Sequence, residues 1–266
     1  MRANSPAGAS GGPPRYCEQM TELTETRTAT AFRHAGRRAA RWLGTLMIAG
    51  GVLTLAWVLT VWLWQDPFTA LYTTIQQHRL ESGYERQVQR FAPRLPAPGQ
   101  PARTVAQEER LVAAAARRYR LAVRAGDPIG RIEVPELGLK MILVDGTDHD
   151  SLTKGPGRDE RTFMPGEQEL VYVAGHRTTY SAPFAHIDRL RAGDRVTLEL
   201  PYATFVYRVT RHVIVPATDL SRLQSHGREV LALQACHPRF FASHRYIVYA
   251  VPVRVIPRGG RPYAPA

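Results

Sequence analysis

From Trp42 to Trp64 the chain carries no charged residue, reading WLGTLMIAGGVLTLAWVLTVWLW. A helix of this length, at about 1.5 Å per residue, spans the roughly 30 Å hydrocarbon core of a bilayer. It is apolar on every face, unlike the surface helix of a soluble domain. Trp42, Trp62 and Trp64 stand at its ends, where indole rings favour the lipid–water interface. The run exceeds the apolar core of a cleaved leader, and no small-residue cleavage site follows it. Residues 42–64 are therefore expected to form a single transmembrane helix. Arg33, Arg37, Arg38 and Arg41 precede it, whereas Gln65, Asp66 and Pro67 follow. Basic flanks stay on the cytoplasmic side, so the N-terminus is expected in the cytoplasm and everything after Trp64 outside the cell. Residues 1–41, rich in Gly, Pro, Ser and Thr, are expected to be a disordered basic tail.

Outside the span the sequence changes character twice. Residues 65–126 read as a helical stalk. Asp66-Pro67 is a helix start, with Asp as N-cap and Pro in the first turn, and the helix is expected to reach about Gln89. Phe91 to Arg103 (FAPRLPAPGQPAR) is a stiff proline-rich linker. Thr104 with Gln107 offers a capping box. Val105, Val112, Ala115, Tyr119 and Val123 then fall on one helical face, with Glu108, Arg117, Arg120 and Arg124 mostly away from it. Gly126 is the expected stop.

Residues 127–257 read as short strands divided by turns. Arg131–Val134, Leu139–Val144, Leu170–Ala174, Val196–Leu200, Phe205–Val209, Val230–Ala235 and Tyr246–Val255 are the expected strands. So many strands with little helix make a mostly β domain, a barrel or sandwich. Residues 258–266 are a C-terminal tail.

Charge narrows the partners only a little. With 35 Lys+Arg against 23 Asp+Glu the net charge is +12. The basic residues are scattered, and no zinc-finger spacing or basic zipper is present, so nucleic acid is not an expected partner. Asp145, Asp148, His149 and Asp150 read as a turn with exposed acids, and no metal is expected. No phosphate loop or cofactor motif is present, and no cofactor is expected.

Cys17 and Cys236 are the two cysteines. In the expected topology a membrane separates them, so they cannot pair. Cys236 is then a lone exported thiol, either a packing residue or a nucleophile. It ends an apolar strand, just before His237-Pro238. A nucleophile there is held rigidly at the sheet rim, where a cationic neighbour favours thiolate. His176 also sits at a strand exit, and Arg245 opens the last strand. If the strands bearing Cys236 and Arg245 pair across the 237–244 loop, their facing ends meet. His237 is the second candidate proton carrier. It is next to Cys236 in sequence, so in an extended chain it faces the other way, as does His244 beside Arg245. His186 is more remote.

These segments resemble the sortase family, which anchors surface proteins to Gram-positive cell walls. The similarity runs from about Ile129 to Val255. Ile132-Glu133-Val134-Pro135-Glu136-Leu137-Gly138-Leu139 is similar to the family's first strand pair, and Leu152-Thr153-Lys154-Gly155-Pro156-Gly157 to its glycine-proline turn. Ala174-Gly175-His176-Arg177-Thr178-Thr179-Tyr180 resembles the segment with the catalytic histidine. Ala232-Leu233-Gln234-Ala235-Cys236 resembles the Thr-Leu-X-Thr-Cys nucleophile motif, with alanines at both threonine positions. The alanine before cysteine and the Thr-Thr-Tyr after His176-Arg177 are most like class E, the actinobacterial housekeeping group.

The resemblance implies a closed β-barrel of about eight strands with short helices, Cys236 as nucleophile, His176 as general acid and base, and Arg245 as oxyanion or substrate stabiliser. It also implies that Thr179, Tyr180 and Ala235 border the substrate. The implied partners are secreted proteins with a C-terminal LPXTG-like or LAXTG-like signal, and a lipid-linked peptidoglycan precursor supplying the acceptor amine. Two other outcomes use the same residues: hydrolysis, with water as acceptor, or a tethered binding module whose trio is idle.

Overall fold

The structure, a computed structural model, describes residues 37–38, 40–60, 67–93 and 103–265. The chain divides into two units, Met1–Leu59 and Thr60–Ala266. The first holds all but the last residue of helix α1, Ala40–Thr60, which is long and apolar enough to cross a membrane. Arg37, Arg38, Ala40 and Arg41 are helical, within the segment expected as a disordered tail. Arg and Ala favour helix and nothing in the sequence stops it at residue 42. Residues 61–66, and with them the end of the expected span and the Asp66 cap expected for the helix after it, lie outside the described residues, as do 94–102 of the linker.

In the second unit, α2 covers Pro67–Phe91 and α3 covers Val105–Arg120. The expected stalk is not free-standing, because α2 lies along the barrel. Thr73 and Tyr84 are buried. The Thr73 hydroxyl donates to the Thr153 carbonyl (3.0 Å), and the Tyr84 hydroxyl to that of Glu199 (3.1 Å). Gln77 uses its whole amide: Nε2 donates to the carbonyls of Ile142 and Lys154, and Oε1 accepts the Ile142 N–H at 2.6 Å.

The capping box of Thr104 and Gln107 forms as expected. The helix it starts ends at Arg120, well before Gly126, and its buried stripe is Glu108, Val112, Ala116 and Tyr119. Val105 is exposed and Glu108 buried, the reverse of the expectation. Glu108 lies one turn before Val112 on the same face, and its carboxylate meets Arg103 (3.7 Å) and the Arg261 N–H (3.4 Å).

Eight strands follow: β1 Pro128–Val134, β2 Leu139–Asp145, β3 Gly157–Arg158, β4 Leu170–Ala174, β5 Arg195–Glu199, β6 Ala203–Pro216, β7 Val230–His237 and β8 His244–Pro257. They close into a barrel in the order β1-β2-β3-β4-β7-β8-β6-β5. A one-turn helix, α4 (His149–Leu152), joins β2 to β3, with Asp148 as its N-cap. Asp145, expected in an exposed turn, instead ends β2 buried in an ion pair with Arg158 (2.6 Å).

Residue parity shows which way each strand faces. Val171 and Val173, Leu231, Leu233 and Ala235, and Tyr246, Val248 and Ala250 all belong to the main core. Their alternates, Leu170 and Tyr172, Ala232, and Ile247 and Tyr249, form a second, smaller apolar cluster with Val215. Since side chains alternate along a strand, the even-numbered residues of β4 and β7 and the odd-numbered ones of β8 share the outer face.

Candidate active site

Three strand ends meet on that outer face. β4 and β7 run parallel with Ala174 opposite Gln234, and the Gly175 N–H donates to the Gln234 carbonyl at 3.0 Å. Two residues further on, that register brings His176 beside Cys236. β7 and β8 run antiparallel with Cys236 opposite Arg245. Residues 176, 236 and 245 thus form one row across neighbouring strands, all on the outer-face parity. All three line one cleft of about 310 Å³, floored by Tyr172 and Ile247 of the smaller cluster.

Local sequence explains each placement. Gly175 lets the chain leave β4 past a core aromatic. A Cβ there would come within 2.6 Å of the Phe184 ring, which is fully buried. Cys236 is half-buried and unpaired. Arg245 donates from one terminal nitrogen, Nη1, to the carbonyls of Ala242 (2.8 Å) and His244 (3.1 Å). That leaves other N–H donors of its fork for a ligand.

The His176 Nε2 is buried with no hydrogen-bond partner, a nitrogen placed to exchange a proton with something entering the cleft. Burial, and to a lesser degree the nearby His149, hold the His176 pKa below the usual histidine value. On the cleft wall Asp159 forms an ion pair with Arg161 (2.7 Å). Burial acts to raise the Asp159 pKa, but hydrogen bonds and charge from Arg161 outweigh it and hold the carboxyl below its ordinary range.

The other candidates are placed differently. His237 faces away from the cleft, with Nδ1 3.0 Å from Arg177 Nη1. His244 pairs opposite it in the β7–β8 ladder. Ala235 points into the main core, so its side chain is not on the cleft wall. Thr179 and Tyr180 are half-buried in the loop after His176, with the Tyr180 and His176 rings 5.1 Å apart. Among the described residues no group of three or more His, Cys, Asp or Glu side chains could hold a metal ion.

Arg177 was not singled out from sequence. It is buried, forms an ion pair with Asp188 at 2.9 Å and donates to the carbonyl of Cys236 at 3.3 Å. Its position next to His176, on the opposite parity, was the available signal. The side chain anchors the Cys236 main chain from behind the sheet.

Fold and site together define a closed β-barrel protein with a thiol, an imidazole and a guanidinium sharing one cleft, the set required for acyl transfer through a covalent intermediate. The family model of the sortase domain matches residues 132–253. The chain is 34% identical to Sortase D of Bacillus subtilis over 128 residues, covering 47% of this chain and 63% of that protein. It is 31% identical to Sortase SrtE1 of Streptomyces coelicolor over 116 residues, covering 39% of this chain and 33% of that one. The similarity therefore spans less than two thirds of either relative's length. The crystal structure of Sortase C-3 from Streptococcus pneumoniae superposes with a TM-score of 0.50 at 20% identity, over 67% of this chain and 93% of that one. It shares the fold.

Proposed function

We propose that this protein is a membrane-anchored cysteine transpeptidase that cleaves an LPXTG-like or LAXTG-like sorting signal between Thr and Gly. The observation that carries this reading is the single row formed by residues 176, 236 and 245 across β4, β7 and β8. The Cys236 sulfur, as thiolate, attacks the threonine carbonyl carbon and forms a C–S bond. Arg245 donates hydrogen bonds to the oxyanion that develops. As the C–N bond breaks, protonated His176 delivers its proton through Nε2 to the departing glycine amine, leaving a thioacyl-enzyme. An amine of a lipid-linked peptidoglycan precursor then attacks the thioester. His176 accepts its proton, and the sulfur leaves as thiolate.

The test uses the purified full-length protein in detergent with a fluorogenic sorting-signal peptide. Cys236→Ala is expected to abolish cleavage, and His176→Ala to lower kcat by about a thousandfold or more. Mass spectrometry with and without an added amine separates a transpeptidation product from a hydrolysed one. Persistent turnover in Cys236→Ala would overturn the proposal.

A further inference from the structure

Three successive non-glycine residues, Tyr180, Ser181 and Ala182, have left-handed backbone, with φ of +53°, +58° and +38°. The Cβ of an L-residue is crowded in this region. A run of three holds only where its surroundings over-determine it, and such strain gathers at functional sites. This run begins four residues after His176.

The restraint comes from the start of α2. The Tyr180 N–H donates to Thr69 Oγ1 at 2.9 Å. The Ser181 hydroxyl donates to the Ala70 carbonyl at 3.3 Å. The Tyr72 ring meets the Tyr180 ring edge-on, with centroids 6.4 Å apart. The Tyr180 ring also lies 5.1 Å from the His176 ring and 6.0 Å from that of His149. One residue is therefore gripped by a helix through its backbone and presses its ring against the imidazole. The imidazole needs such a support, because its buried Nε2 has no hydrogen-bond partner to orient it.

We infer that Tyr180 is a positioning residue for His176, and that Thr69 and Tyr72 of α2 hold it in place, making that helix a working part of the active site. The inference rests on the reading of His176 as proton carrier. Its physical basis is that proton transfer tolerates little misplacement of the donor. A ring packed beside the imidazole limits its tilt, and strained backbone keeps the ring there only while α2 supplies its contacts.

Two pairs of variants in the full-length protein test this. Thr69→Val keeps the shape of the side chain and removes the acceptor for the Tyr180 N–H, whereas Thr69→Ser restores it. Tyr180→Ala removes the ring, whereas Tyr180→Phe keeps it. Thr69→Val and Tyr180→Ala are expected to lower kcat about tenfold or more with KM within about twofold, and the conservative partners to recover most of the loss.

The second readout needs no turnover. In a Cys236→Ser background, the His176 titration is followed by NMR. The groups facing this imidazole are Tyr180, His149, Cys236 and Arg245, with the Asp159–Arg161 pair further round the cleft. Burial is the main cause of its lowered pKa, so Tyr180→Ala, by letting water in, is expected to move the midpoint up toward the ordinary histidine value. Unchanged kcat together with an unchanged midpoint would overturn the inference. So would a rise in KM alone, which marks Tyr180 as a substrate contact. If the parent protein cleaves no sorting peptide, the functional proposal fails, and the NMR arm still decides the positioning role.

Discussion

Arg177 shows how a single side chain can serve a site it does not enter. Its guanidinium is buried behind the sheet, where it meets the carbonyls of Cys236 (3.3 Å) and Ala185 (3.5 Å), His237 Nδ1 (3.0 Å) and Asp188 (2.9 Å). Removing it strands the two carbonyls in a place water reaches poorly. Each buried unsatisfied polar group costs about 1–3 kcal/mol. Asp188 is half-exposed, so loss of its partner adds little. Arg177→Met is therefore expected to lower stability by about 2–4 kcal/mol, read as a lower midpoint in urea with an unchanged m-value. It is also expected to lower kcat, because the main chain of Cys236, the proposed nucleophile, loses its anchor. Wild-type stability in this variant would show that the anchor contributes nothing.

Among the elements, legibility followed the strength of the local pattern. β4, β7 and β5 were readable because short apolar or alternating runs lie between turn residues. β3 was not, since two residues carry no period. The outer half of β6, from Arg211 to Pro216, pairs with residues 244–249 of β8 but is largely exposed, so its alternation is weak. The packing of α2 was hidden for a different reason. Its first half grips the barrel through Thr73 and Gln77 hydrogen bonds, and its buried aromatics, Tyr84 and Phe91, come only in the second half; hydrophobic periodicity cannot report polar contacts. The clustering of His176, Cys236 and Arg245 was legible because all three sit at strand ends. The support behind them was not, because Arg177 and Thr69 meet their partners 59 and 111 residues away.

Gly175 makes the element-scale claim testable. A methyl group there meets the Phe184 ring at 2.6 and 2.9 Å, so Gly175→Ala is expected to push the exit of β4 outward and carry His176 with it. Overpacking of this kind costs about 1–3 kcal/mol. Adding Phe184→Leu makes room, so the double variant is expected to recover activity beyond the sum of the single effects, the signature of direct contact. Additive losses would mean that the two residues act separately.

At the scale of the whole molecule, the proposed function requires the barrel and its substrates to share one membrane face. Helix α1 is long and apolar enough to span a bilayer, and the arginines before it, with Gln65, Asp66 and Pro67 after it, favour a cytoplasmic N-terminus. Tethering in that orientation confines enzyme, signal-bearing protein and lipid-linked acceptor to one surface and raises their effective concentration. The chain carries its own reporters of topology, since Cys17 precedes the span and Cys236 follows it. A membrane-impermeant maleimide applied to intact cells is expected to label Cys236, while Cys17 reacts only after permeabilisation. Cys17→Ser and Cys236→Ser variants assign each signal. Because Cys236 is half-buried, unfolding the protein after quenching, followed by a second label, measures the fraction left unreacted and separates slow access from the wrong side of the membrane. Labelling of Cys17 in sealed cells would reverse the orientation, place the cleft in the cytoplasm and remove the proposed acceptor from its reach, even if the purified protein cleaved peptides.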